Sequence, residues 1–255
     1  MKAKLNQYAF VISQLTLREL KRKYARSYLG ILWSVLNPLL SMALLSLIFS
    51  QLFRRQIDNY PIYYLTGYIL WQAFVESTTS AMTTLVDNKG LLIKTKLPLD
   101  LFILTRVYAS LVNLGYSTVA YIVMLIVFRI SFKWTMLVYP FIVLLLMLFA
   151  AGLSYLLSAA YVFFGDIRHL YSVLLTLWMY LSAIFYPAEQ LTGPIYTVIQ
   201  LNPIYRYIKC LRGAVMYGQL FDPFELMQMV LWSIFMFALG LIVFKKMKNK
   251  IIEAV

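Results

Sequence analysis

The chain has 255 residues, of which 62% are hydrophobic and 13% charged, with a mean hydropathy of +0.76 and a net charge of +13. That balance excludes a soluble domain hiding its apolar surface in one core, and it places the chain in a membrane. Nucleic-acid binding is a poor account of the charge, because Lys and Arg gather at the ends of apolar runs rather than along one polar face.

The first 29 residues lack the compact apolar core and cleavage site of a signal peptide, so they are expected to stay in the mature protein. Leu5, Tyr8, Ile12 and Leu15 recur at steps of three and four, and Leu17, Leu20 and Tyr24 continue the pattern with some drift. The segment is too polar to cross a bilayer and reads as an amphipathic helix on the membrane surface.

A bilayer core takes about 20 helical residues, and apolar stretches of that order are expected at 30–53, 62–84, 100–128, 135–163, 169–186 and 227–244. If both ends of the chain are cytoplasmic, the inner side carries about twice as many Lys and Arg as the outer side, in line with the positive-inside bias. Arg54 and Arg55 dissent and are read as snorkelling. Asn37 and Pro38 are expected to interrupt the first span, since a proline there removes a helix hydrogen bond.

Between the second and third spans stands "DNKGLLIKTKLP" (87–98), in which Lys89, Lys94 and Lys96 surround Leu91, Leu92 and Ile93. A plain connecting loop has little use for these apolar side chains, so the stretch reads as a docking helix whose apolar centre needs a cover. Glu76 and Arg106 lie at similar depths in their spans, at about 1.5 Å per residue. They are expected either to pair or to face a water-filled cavity separately.

In "FGDIRHLYS" (164–172), Asp166 is placed to cap the next helix, while Arg168 and His169 are free to meet headgroups or a partner. Trp33, Trp71, Trp178 and Tyr180 lie deeper than an interfacial belt requires. Flat rings of this kind suit sugar C–H faces, which makes the four candidates for a substrate path. The stretch 187–223 mixes apolar runs with Pro and Gly, and it reads as a re-entrant cap of short helices.

No G-x-x-x-x-G-K-[ST] loop is present, so any ATP must be bound by another chain. One histidine, His169, and one cysteine, Cys210, leave no basis for a triad, a metal centre or an internal disulfide. The enzyme reading is correspondingly weak.

The blocks "LTLRELKRKYARSYLGILWSVLNPLL" (15–40), "NKGLLIKTKLP" (88–98), "GDIRHLYSVLLTLWMYLSAIFYP" (165–187) and "LNPIYRYIKCLRGAVMYG" (201–218) resemble the permease subunits of the ABC-2 exporter family. The resemblance covers nearly the whole chain and is strongest to the branch that exports lipid-linked polysaccharides: O-antigen, teichoic acid and capsule. It implies an all-α integral membrane fold with six transmembrane helices, an N-terminal cytoplasmic gate helix within 1–29 and re-entrant extracytoplasmic helices between the fifth and sixth spans.

The resemblance further implies a homodimer in a bacterial plasma or inner membrane, with cytoplasmic termini, working with two copies of a nucleotide-binding ATPase. This chain would bind no cofactor itself, ATP and Mg residing on that partner, and an undecaprenyl-linked glycan would pass through the dimer. The ATPase-coupling segment maps onto 87–98, with Asn88, Leu91, Leu92, Ile93, Lys94, Lys96 and Pro98, and its second contact onto Asp166, Arg168 and His169. The gate helix maps onto Arg18, Lys21, Arg22, Tyr24 and Ser27. Two other readings stay open at this stage: an ABC-2 permease for a small lipid or drug, and a membrane scaffold or intramembrane enzyme.

Overall fold

A computed structural model describes residues 2–25, 27–52, 57–95 and 97–254. Arg54, Arg55 and Lys96, invoked above for orientation and docking, lie outside the described residues, as does Arg26. Among the described residues the structure is almost wholly helical: α1 Lys2–Tyr24, α2 Leu32–Leu52, α3 Tyr60–Asp87, α4 Lys89–Lys94, α5 Leu99–Val127, α6 Tyr139–Phe163, α7 Ile167–Leu181, α8 Pro194–Leu201, α9 Pro203–Arg212 and α10 Pro223–Ala254. A 3₁₀ turn at Trp134–Val138 leads into α6, another spans Ala188–Gln190, and a π-helical turn at Gly213–Tyr217 extends α9.

Proline marks the start of five of these ten helices. Pro61, Pro140, Pro194, Pro203 and Pro223 occupy the first or second helical position of α3, α6, α8, α9 and α10, where a missing N–H costs nothing. Pro38 instead lies inside a helix, and α2 continues through it. Helix α10 also continues well past residue 244, because Ile251 is fully buried among Leu85, Ile103 and Phe244 and holds the lysine-rich final turns in place.

Among the described residues, four helices are long and apolar enough to cross a membrane: α2, α5, α6 and α10. Helix α3, at 28 residues, is about 42 Å long, but its second half carries Glu76 and a run of Ser and Thr. Helix α7 has only 15 residues, about 22 Å, and ends at Leu181, short of the expected 186.

At the centre, α3 packs against α5 and α6, and α6 against α10. The α6–α10 crossing is glycine-dependent: a Cβ on Gly152 or Gly240 would fall inside the van der Waals envelope of the facing backbone. Ile62, Leu65, Leu70, Phe74, Phe149 and Tyr207 fill the main core. Polar bolts cross it, with hydroxyl pairs Thr66–Tyr121 at 2.6 Å, Thr78–Tyr171 at 2.7 Å and Tyr207–Ser233 at 2.6 Å. Each such bond contributes on the order of 1 kcal/mol in an apolar surround.

Candidate functional site

A cavity of about 860 Å³ opens at the α4 end of the bundle between α1, α3, α5 and α7. Helix α1 supplies Glu19, Arg22 and Lys23, α3 supplies Glu76, Thr79, Thr83 and Asp87, α5 supplies Arg106 and Asn113, and α7 supplies Arg168 and Ser172. A second cavity of about 360 Å³, lined by Trp33, Ser34, Asn37 and Gln72, shares Lys23, Glu76, Thr79 and Asn113 with the first.

Four contacts hold α1 across this opening. The Glu19 carboxylate meets Arg106 at 2.6 Å, with side chains only 9% and 16% exposed. The Lys23 ammonium meets Glu76 at 2.6 Å in a more open setting. The Tyr24 hydroxyl donates to Asn113 Oδ1 at 3.2 Å, and Asn113 in turn donates to Glu76 at 2.5 Å. Arg18 donates to Asn88 Oδ1 at 3.2 Å, while Asn88 Nδ2 bonds the Thr84 carbonyl at 2.9 Å and so fixes the junction of α3 and α4. The pair between Glu19 and Arg106 carries most of this attachment, because water screens exposed pairs far more than buried ones.

These contacts separate the two readings of Glu76 and Arg106. Glu76 and Arg106 share the cavity but do not pair with each other; α1 takes both, and Arg106 reaches Asp87 at 3.8 Å as well. Depth along the two spans says nothing of a third helix laid between them. Glu19, the single acid in the first 29 residues, was the available signal.

Other expected residues divide in the same way. In α4, Leu91 and Leu92 pack in part against the cluster of Leu99, Phe102, Ile103 and Phe244, whereas Ile93 is 71% exposed beside exposed Lys94. Pro98 stands at the N-cap of α5. Asp166 occupies the N-cap position of α7, yet its side chain makes no capping bond; its carbonyl oxygen accepts from the N–H groups of His169 and Leu170 instead. Asp166, Arg168 and His169 are exposed, as are Lys21 and Arg22 on α1, while Ser27 Oγ accepts from the Gly30 N–H at 3.1 Å.

Of the four rings proposed for a path, Trp71 is buried against Phe74 and Trp178 stands edge-on to Phe74 and Phe149. Trp178 Nε1 also donates to Asn202 Oδ1 at 2.8 Å, so its role within the chain is to anchor α9. Trp33 and Tyr180 are open, 46% and 55% exposed, and each borders a cavity.

In the sequence, Arg212 reads only as a charge at the outer end. It is buried at 4% exposure, donating to the carbonyls of Tyr63, Ala183 and Ile184 at 3.1, 2.8 and 2.8 Å while its guanidinium lies 3.4 Å from the centre of the Tyr63 ring. The absence of a Cβ at Gly67 leaves room for it. Arg212 ties the end of α7 to the start of α3, because a fork of donors meets carbonyls that the α7 terminus leaves without helical partners.

A family model described as ABC-2 type transporter matches residues 11–216. The chain is 28% identical over 253 residues to the O-antigen export system permease protein RfbA of Myxococcus xanthus, covering 98% of this chain and 97% of that one. It is likewise 28% identical over 258 residues to a protein of the same name in Klebsiella pneumoniae, with 99% and 98% covered. Similarity to the polysialic acid transport protein KpsM of Escherichia coli is 22% over 240 residues, 92% of each chain. With a helical bundle, membrane-length apolar helices and a match over most of its length, this chain belongs to the ABC-2 type transporter family.

Proposed function

We propose that this chain is the membrane-spanning permease of an exporter that carries a polysaccharide out of the cytoplasm, driven by ATP hydrolysis on a separate nucleotide-binding subunit. The observation that carries this reading is similarity running from end to end with permeases named for O-antigen export and polysialic acid transport. A small lipid or drug as substrate has no comparable support.

In this reading α3 and α7 join α2, α5, α6 and α10 to give six spans, both termini and α4 face the cytoplasm, and the segment from Ala188 to Tyr217 is a re-entrant cap on the outer side. Two copies of the permease pair with two ATPases, which hold the ATP and Mg, and the glycan travels on an undecaprenyl carrier. Helix α1 is the gate, latched over the inner cavity by Glu19 and Lys23. Ile93 and Lys94 on α4, with Arg168 and His169 at the start of α7, offer the exposed face for the ATPase, consistent with their lack of cover in the single chain.

The test is genetic and biochemical. Deleting the gene should remove the surface polysaccharide and trap the lipid-linked glycan in the cytoplasmic leaflet, and re-expression should restore export. Unchanged surface polysaccharide after deletion would overturn the proposal.

A further inference from the structure

At the end of α5 remote from α4, a cavity of about 420 Å³ opens between the last turns of α5, the Trp134–Val138 turn and the start of α6. That volume lies within the roughly 300–1,000 Å³ span of small-molecule sites. Tyr121, Ile122, Ile126, Phe132, Leu137 and Val215 are among its walls. Ile122, Ile126, Phe132 and Leu137 are all exposed, so the cavity faces outward from the bundle and not into its core.

The side-chain hydroxyls that line it are already spent. Tyr121 pairs with Thr66 at 2.6 Å, and Tyr139 with Thr118 at 2.5 Å. The part of a ligand that enters must therefore be apolar, because a polar group brought in would lose water and find no such partner. Phe132 and Trp134, exposed and edge-on with ring centres 6.1 Å apart, mark the level of a membrane–water interface. The apolar guest at hand there is a lipid tail.

Two cations stand beside the opening, where that lipid's headgroup would lie. Arg129 is exposed next to Ile130 of the wall, and its side chain makes no ion pair or hydrogen bond among the described residues. Its backbone is in the left-handed region at φ +56°, directly after the C-cap of α5, where glycine is the usual residue. An arginine is kept there at a conformational cost that glycine would not incur. Lys133 gives one of its three donors to the Met216 carbonyl, which leaves its charge unneutralised.

Tails alone cannot select a lipid, since one hydrocarbon chain is as apolar as another, and selection falls to the headgroup. From this arrangement we propose that the cavity binds an anionic phospholipid, with one tail among Ile122, Ile126 and Leu137 and the phosphate on Arg129 and Lys133. A second copy of this chain is a poor match for the same face, because it carries 23 basic residues against 10 acidic ones. Val215 walls the cavity and Lys133 holds the π-helical turn Gly213–Tyr217, so the bound lipid braces the segment that follows α9. In the orientation proposed above, the lipid belongs to the outer leaflet.

The purified permease–ATPase complex is placed in nanodiscs holding equal amounts of phosphatidylglycerol, phosphatidylcholine and a polyprenyl phosphate, and native mass spectrometry counts the lipids that stay bound. The wild type should retain phosphatidylglycerol in preference to the other two. Arg129→Gly also relaxes the turn, so folding stands, and it should lower the preference over phosphatidylcholine about fivefold, the effect of one cation near a membrane surface. Arg129→Lys should keep most of that preference. Ile122→Trp fills the cavity and should cut retention of phosphatidylglycerol although both cations remain.

Equal retention of the lipids by the wild type, a preference that Arg129→Gly or Ile122→Trp leaves unchanged, or the polyprenyl phosphate bound in place of phosphatidylglycerol overturns the proposal. None of these results touches the export reading, which stands or falls on surface polysaccharide after gene deletion.

Discussion

Replacing Glu19 with glutamine tests whether α1 is held as a latch. The carboxylate sits 2.6 Å from Arg106, and both side chains are largely shielded from water. The amide would keep the shape of the side chain and lose its charge. A hydrogen bond to a charged partner contributes about 1.5–3 kcal/mol, and Arg106 would retain weaker support from Asp87 at 3.8 Å and Thr84 Oγ1 at 3.3 Å. The net loss is about 2 kcal/mol, so the ratio of open to closed α1 rises about thirtyfold at the usual 1.4 kcal/mol per factor of ten. Hydrogen exchange followed by mass spectrometry reads this directly: amides of α1 should exchange about thirtyfold faster, while those of α6 and α10 stay as protected as before. A double-mutant cycle with Arg106→Gln should return a coupling of about 2 kcal/mol. Exchange of α1 within twofold of wild type in Glu19→Gln would refute the latch, since the remaining contacts would then suffice.

Two further substitutions probe other parts of the molecule. Gly240→Val should cost about 3 kcal/mol or more by forcing α6 and α10 apart, visible as a large drop in melting temperature and in folded yield; a melting temperature within about 2 °C of wild type would mean the crossing can relax. On α4, Ile93→Asp should leave folding and insertion intact yet abolish ATPase stimulation in the assembled complex, because Ile93 is 71% exposed. Leu91→Asp should lower stability as well, since Leu91 packs on the Phe102 and Phe244 cluster; equal melting temperatures for the two variants would contradict that division.

The division within α4 shows how far the sequence reaches. Leu91, Leu92 and Ile93 are three consecutive apolar residues, and nothing local separates them. Consecutive residues on a helix point in directions about 100° apart, so one neighbouring cluster covers two of them and leaves the third free. The aromatic residues follow the same rule. Trp71 and Trp178 look like Trp33 in a list of deep rings, but Trp71 is buried against Phe74, and Trp178, partly buried, packs edge-on to Phe74 and Phe149.

By itself the sequence determined that the chain lives in a membrane, roughly where its apolar helices lie and which family it resembles. Composition, proline placement and motif order are local quantities, and each acts without reference to distant residues. Only the tertiary structure decided that Glu19 and Lys23 reach across to Arg106 and Glu76, and that Arg212 clasps α7 to α3. Charge pairing and burial act over a few ångströms in space, and residues far apart in the chain become neighbours only when the helices pack.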